Sequence, residues 1–150
     1  MKRLHKNFFF LVYCWAYFTS LSIFVGCGSS YPSVSPDTQC GPEVAQIQIG
    51  DGFLRIFCGC TQPGENPGAV FRSGQELVCH LPTQNSQVIF YFLNNFIPHQ
   101  VVSTGPNTFI SSSVIQSRSL TSHVVRFHVP SSTYGFVDSF TAITGKIIVP

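Results

Sequence analysis

From Val44 to Val149 the chain reads as a succession of short apolar, β-branched and aromatic runs broken by Gly, Pro, Asn and Ser, with no stretch that keeps a 3.6-residue period long enough for a helix. AQIQI alternates apolar and polar residues, Gly50-Asp51-Gly52 is a turn signal, and FLRIF at 53–57 returns as the second arm of a hairpin. The loop TQPGENPG (61–68) follows, and AVFRSGQELVCHL then places a strand on either side of a turn at Ser73-Gly74. QVIFYFL at 87–93 is apolar at consecutive positions, the pattern of a central strand covered on both faces. HQVVS, SHVVRFHV (122–129), TYGFV and GKIIV supply the remaining strands. About seven or eight short strands at this spacing predict an all-β sandwich.

The front of the chain is a different kind of segment. Lys2, Arg3 and Lys6 precede an uncharged apolar stretch from Phe8 to Val25, and small Gly26 precedes Cys27, which is the layout of a secretory signal. Its end, FVGC, resembles the lipobox of bacterial lipoproteins, with Phe24 where Leu, Val or Ile is usual. The resemblance implies a signal peptide over 1–26, cleavage before Cys27, and acyl chains on that cysteine. The competing reading is an uncleaved anchor, since the stretch is nearly long enough to span a bilayer. Both tether the remaining chain to a membrane. Gly28 stands where an aspartate would resemble an inner-membrane retention signal, so the expected location is the bacterial cell envelope, at the outer membrane or cell surface rather than the cytoplasmic membrane. Residues 27–39 include the Ser- and Pro-rich GSSYPSVSPDTQ, a flexible tether, and the domain is expected over 40–150.

Cleavage would leave 124 residues of the 150, enough for one domain with its own core. The formal charge of +2 belongs to the leader, because three of the eight Lys and Arg lie there and the remaining five face six acidic residues. No basic patch is left for nucleic acid, and that partner class is excluded. The expected partners are the membrane, through Cys27, and an envelope protein or ligand of unspecified kind.

Cys14 lies in the leader and Cys27 at its end, which leaves Cys40, Cys58, Cys60 and Cys79 for the domain. An even number in an exported chain predicts disulfides. Cys58 and Cys60 are too close to pair with each other without strain, so each takes Cys40 or Cys79, and two connectivities remain open. A metal is the alternative: Cys58, Cys60, Cys79 and His80 offer a soft set suited to Cu(I) or Zn, without the usual zinc spacing.

Taken in order, SGQELVCHL, VIFYFLN, PHQVVS, STGPNTFISS, Thr133-Tyr134 and TGKIIV resemble the cupredoxin family, the Greek-key β-sandwiches that hold type 1 copper. The resemblance covers about half of the chain. It implies a cupredoxin-like fold and places His99 where the family presents its first copper ligand. Such a copper takes two His nitrogens, a Cys thiolate and a weak axial Met. The family draws the other three ligands from the loop that here reads GFVDSFTAITG (135–145), with Val137 or Asp138 at the cysteine, Phe140 or Thr141 at the histidine, and Ile143 at the methionine. The diagnostic ligands are absent.

His123 and His128, five apart on one predicted strand, fall on opposite faces and make poor joint ligands. His99 without companions reads as a strand-end histidine over the rim of the core, with Asp138 as a candidate partner; on that reading His99→Gln costs the fold little. GxSxG, HExxH and phosphate-binding glycine motifs are all missing, so no enzyme is expected. The resulting expectation is a membrane-anchored lipoprotein whose cupredoxin-like domain lacks the type 1 ligands, needs no cofactor, and acts as a non-catalytic binding or structural module. The alternative is a copper carrier or electron-transfer protein that uses His99 with His80 and the cysteines.

Overall fold

A computed structural model describes residues 40–93 and 95–150. The expected leader (1–26), Cys27 and the tether (27–39) lie outside the described residues. The described chain is all-β, with strands β1 (Val44–Gly50), β2 (Phe53–Cys58), β3 (Val70–Arg72), β4 (Glu76–His80), β5 (Gln87–Leu93), β6 (Val101–Thr104), β7 (Leu120–Arg126), β8 (Thr133–Asp138) and β9 (Thr144–Ile148).

These strands form a 5-stranded sheet in the order β3-β2-β1-β5-β7 and a 4-stranded sheet in the order β4-β9-β8-β6. Each sheet is mixed: β1 runs parallel to β5, and β4 parallel to β9, while the other pairs are antiparallel. The hairpin read at 44–58 is present, with Gly50 opposite Phe53 across the Asp51-Gly52 turn. The turn at Ser73-Gly74 does not make a hairpin, because β3 and β4 lie in different sheets. The strand-like pieces that carry the resemblance become β4, β5, β6, β8 and β9.

Alternation along the strands builds the core. Ile47, Ile49, Leu54, Ile56, Phe90 and Phe92 from the larger sheet meet Leu77, Phe136 and Ile147 from the smaller one, all essentially inaccessible to solvent. Rings lock the layers together: Phe90 meets Phe136 edge-on at 5.1 Å between centroids, and Phe127 meets Tyr134 at 4.7 Å. Such pairs contribute about 0.5–1.5 kcal/mol beyond their area. Gly145 lies beneath the Phe136 ring, and a Cβ there would sit 2.3 Å from Phe136 Cζ.

Three local expectations change. β5 alternates between buried and half-buried residues, so only one of its faces is fully covered. β1, in contrast, is buried on both faces: Gln46 and Gln48 are covered because Gln48 lies between Arg55 and Tyr91, and Gln46 between Cys58 and Ile89. The strand read over 122–129 instead spans Leu120–Arg126, so His128 lies beyond it and bonds to Asn85 Oδ1 through Nδ1, while His123 Nε2 bonds to the Ile110 carbonyl. The two histidines share no site.

Candidate functional site

His99 precedes β6, and its backbone exchanges two hydrogen bonds with Ile115 in an isolated antiparallel bridge. This holds the ring inward, and the residue is 1% exposed. Nδ1 lies 2.8 Å from Asp138 Oδ2, and Nε2 lies 3.0 Å from Asp51 Oδ1. A carboxylate only accepts, so both bonds form together only when both ring nitrogens carry protons. With both protons in place, the arrangement is an imidazolium clamped between two carboxylates.

Each carboxylate is built into its own turn. Asp138 ends β8, is wholly buried, and also accepts from the Gln100 N–H at 3.1 Å and the Thr141 hydroxyl. Asp51, in the β1–β2 turn, accepts the Phe96 N–H at 2.8 Å and the Ile97 N–H at 3.4 Å. Asn95 adds a further tie, from Nδ2 to the Ile49 carbonyl at 3.1 Å. Burial pushes both carboxyls up and the imidazole down, but the bonds and opposite charges reverse these tendencies. Asp51 and Asp138 are held below their ordinary range and His99 above its own.

The positions that the resemblance assigns to a type 1 copper do not fit that metal. Asp138 presents a hard carboxylate already filled by donors, Thr141 donates its hydroxyl to it, and Ile143 is a buried hydrocarbon. Val137 is a β8 residue opposite Val102 and Thr144, and Phe140 is half-exposed. A soft trigonal copper site requires a thiolate beside its imidazoles, and these described positions supply no thiolate.

The four domain cysteines form two disulfides, Cys40–Cys58 and Cys60–Cys79, which settles the connectivity left open by the sequence. Gly59 makes the adjacency possible. Its φ is +85°, and a Cβ there would lie 2.1 Å from the Val44 carbonyl oxygen, so only glycine lets two neighbouring cysteines reach different partners. His80 closes β4 beside them, with Nδ1 2.5 Å from Glu65 Oε1. Glu65, at 6% exposure, also accepts the His80 and Gln62 backbone N–H groups through Oε2. His80 and His99 are thus both engaged by carboxylates, and the structure brings neither to a cysteine–histidine cluster with the other.

Two site residues escaped the sequence reading. Asp51 was visible as part of a turn, and Glu65 as part of a loop, but nothing in their spacing announced that one would face His99 and the other His80.

No protein-family profile matches this sequence, and no curated protein does. Solved structures similar to it include a purple cupredoxin from Nitrosopumilus maritimus, 20% identical with a TM-score of 0.43, covering 71% of this chain and 99% of that one. Another is a reduced auracyanin from Roseiflexus castenholzii, 13% identical with a TM-score of 0.44, covering 72% and 97%. An oxidised variant of amicyanin is 11% identical with a TM-score of 0.44, covering 75% and 87%.

Proposed function

We propose that the chain is a membrane-anchored envelope lipoprotein whose domain acts as a non-catalytic binding or structural module. The observation that carries this reading is the filling of the His99 position: both imidazole nitrogens are used by Asp51 and Asp138 at 3.0 and 2.8 Å. A ring in that state has no lone pair to give to a metal. The disulfides support the same reading, since a sulfur committed to a disulfide is not a thiolate ligand. They also suit an exported chain. The lipid anchor at Cys27 and the outer-membrane or surface location belong to this proposal and rest on the sequence pattern FVGC-Gly28.

The test is to titrate the protein, purified without added reductant, with Cu(II) and Cu(I) and to weigh it under non-reducing conditions. The expected result is a mass with both disulfides intact, no stoichiometric copper, and no copper–thiolate absorption in the visible. Stoichiometric copper accompanied by free thiols would instead establish the carrier function. Radiolabelled fatty acid incorporated into the wild type and lost in Cys27→Ala is the matching result for the anchor.

A further inference from the structure

The end of the sandwich that holds Cys58-Gly59-Cys60 contains donors that the function proposed above does not use. One sulfur or oxygen atom from each of Cys60, Cys79 and Glu65 lies within 4.8 Å of the other two. While the disulfide is closed this is not a metal site, because neither sulfur carries the charge of a thiolate. We propose that reduction of Cys60–Cys79 turns this group into a zinc site, with Cys60, Cys79 and Glu65 as protein ligands, a water in the fourth position, and His80 holding Glu65.

The chemistry balances with a dithiol reductant. Its thiolate attacks Cys60 Sγ, since Cys60 is partly exposed whereas Cys79 is inaccessible, and Cys79 leaves as the thiolate. The reductant's second thiol then attacks the mixed disulfide, closing its own disulfide and releasing Cys60. Two electrons pass to the protein sulfurs. Zn²⁺ then binds the two thiolates, and the protons they would otherwise carry go to solvent. Two thiolates, a carboxylate and a water make a tetrahedral set of the kind zinc accepts, with the sulfurs about 3.8 Å apart for Zn–S bonds of about 2.3 Å.

The ligands stay near one another without the disulfide. The Thr61 N–H bonds to the His80 carbonyl at 3.0 Å, the Glu65 N–H to the Gln62 carbonyl at 3.0 Å, and the Gly68 N–H to the Ile56 carbonyl at 2.7 Å, so the loop is closed by its own backbone. Cys79 sits inside the β4–β9 pairing opposite Ile147. Cys40–Cys58 fixes the chain two residues before Cys60. Glu65 is already buried and aimed, with Oε1 on His80 and Oε2 on two backbone N–H groups, an orientation of the kind that tunes metal ligands.

To test this, the purified protein is treated with a phosphine under native conditions, alkylation and mass spectrometry identify which disulfide has opened, and Zn²⁺ is titrated by calorimetry, with Co²⁺ as the spectroscopic probe. The expected result is one Zn²⁺ per chain in the reduced protein, none in the oxidised protein, and cobalt–thiolate charge-transfer absorption. Binding disappears in Cys60→Ser/Cys79→Ser and persists in Cys40→Ser/Cys58→Ser. His80→Gln weakens it by about 10–100-fold, and Glu65→Gln weakens it more. Uptake that survives Cys60→Ser/Cys79→Ser, is unchanged in Glu65→Gln, or never reaches one equivalent overturns the assignment. If the reduced chain is unfolded without metal, refolding on one equivalent of Zn²⁺ supports the site, and failure to refold overturns it. If Cys40→Ser/Cys58→Ser does not fold, wild type opened only at Cys60–Cys79 decides. None of these outcomes bears on the Asp51–His99–Asp138 network, which titration of the oxidised protein tests separately.

Discussion

The two ends of the sandwich both pair a histidine with carboxylate, but in opposite senses. At the end where β1 turns into β2, the histidine is the buried member: His99 is 1% exposed, and of its partners the Asp138 side chain is wholly buried while that of Asp51 is 31% exposed. At the other end the carboxylate is buried: the Glu65 side chain is 7% exposed and that of His80 34%. A buried cation between two anions is a closed structural element, because each polar atom of the ring is committed. A buried anion beside a partly exposed histidine and a disulfide keeps donors that redox chemistry can release.

Removing the buried histidine gives the largest expected effect. His99→Gln leaves Asp138 with an uncompensated buried charge, and a glutamine cannot span both carboxylates. The expected destabilisation is about 3 kcal/mol, the lower end of the range for breaking a buried ion pair, read from urea unfolding midpoints. This replaces the small cost expected for a rim residue, because His99 is a two-partner bridge rather than a cover. A change below about 1 kcal/mol, the size of one ordinary hydrogen bond, would show that the network contributes little.

pH sharpens the same contrast. His99 is raised above its ordinary 6.5, so its contribution is fully present below that value and is lost as pH rises through the raised one. Asp51 and Asp138 are lowered from 3.8, so theirs is present above that value and lost as pH falls through the lowered ones. Stability from the network is therefore greatest between the two ordinary values. Unfolding free energy measured across that range and above it should decline on the alkaline side in wild type, and that decline should vanish in His99→Gln.

The smallest effect belongs to His80. Its ring is partly exposed, and Glu65 keeps two backbone N–H donors when it is lost, so His80→Gln should cost about 0.5–1 kcal/mol in the oxidised protein. A loss as large as that from His99→Gln would erase the distinction between the two ends.

Much of the architecture was legible because it is local. The alternation in AQIQI, followed by Gly50-Asp51-Gly52 and the returning arm FLRIF, specifies a hairpin, and the strand-like runs that carry the family resemblance became strands. The outer faces were harder to read: Gln46 and Gln48 look like solvent-facing residues until β2 and β5 flank them on either side. The site was legible only in part. Asp138 could be placed near His99 through the loop at 135–145, but Asp51 reaches His99 from a distant hairpin, and Glu65 reaches His80 across the 61–68 loop. Partners brought together by topology leave no periodic trace, and the same holds for the choice of Cys40 for Cys58 and Cys79 for Cys60.

The position of β9 sets an order of events. It lies between β4 and β8 and is the only described strand that pairs with both. Until residues 144–148 are in place, β4 has no partner in its sheet and Phe136 has no Gly145 beneath it. Long-range pairing of this kind is slow to form. A chain that emerges from its N-terminus can therefore pair its five-stranded sheet first, while its four-stranded sheet stays divided until this strand arrives.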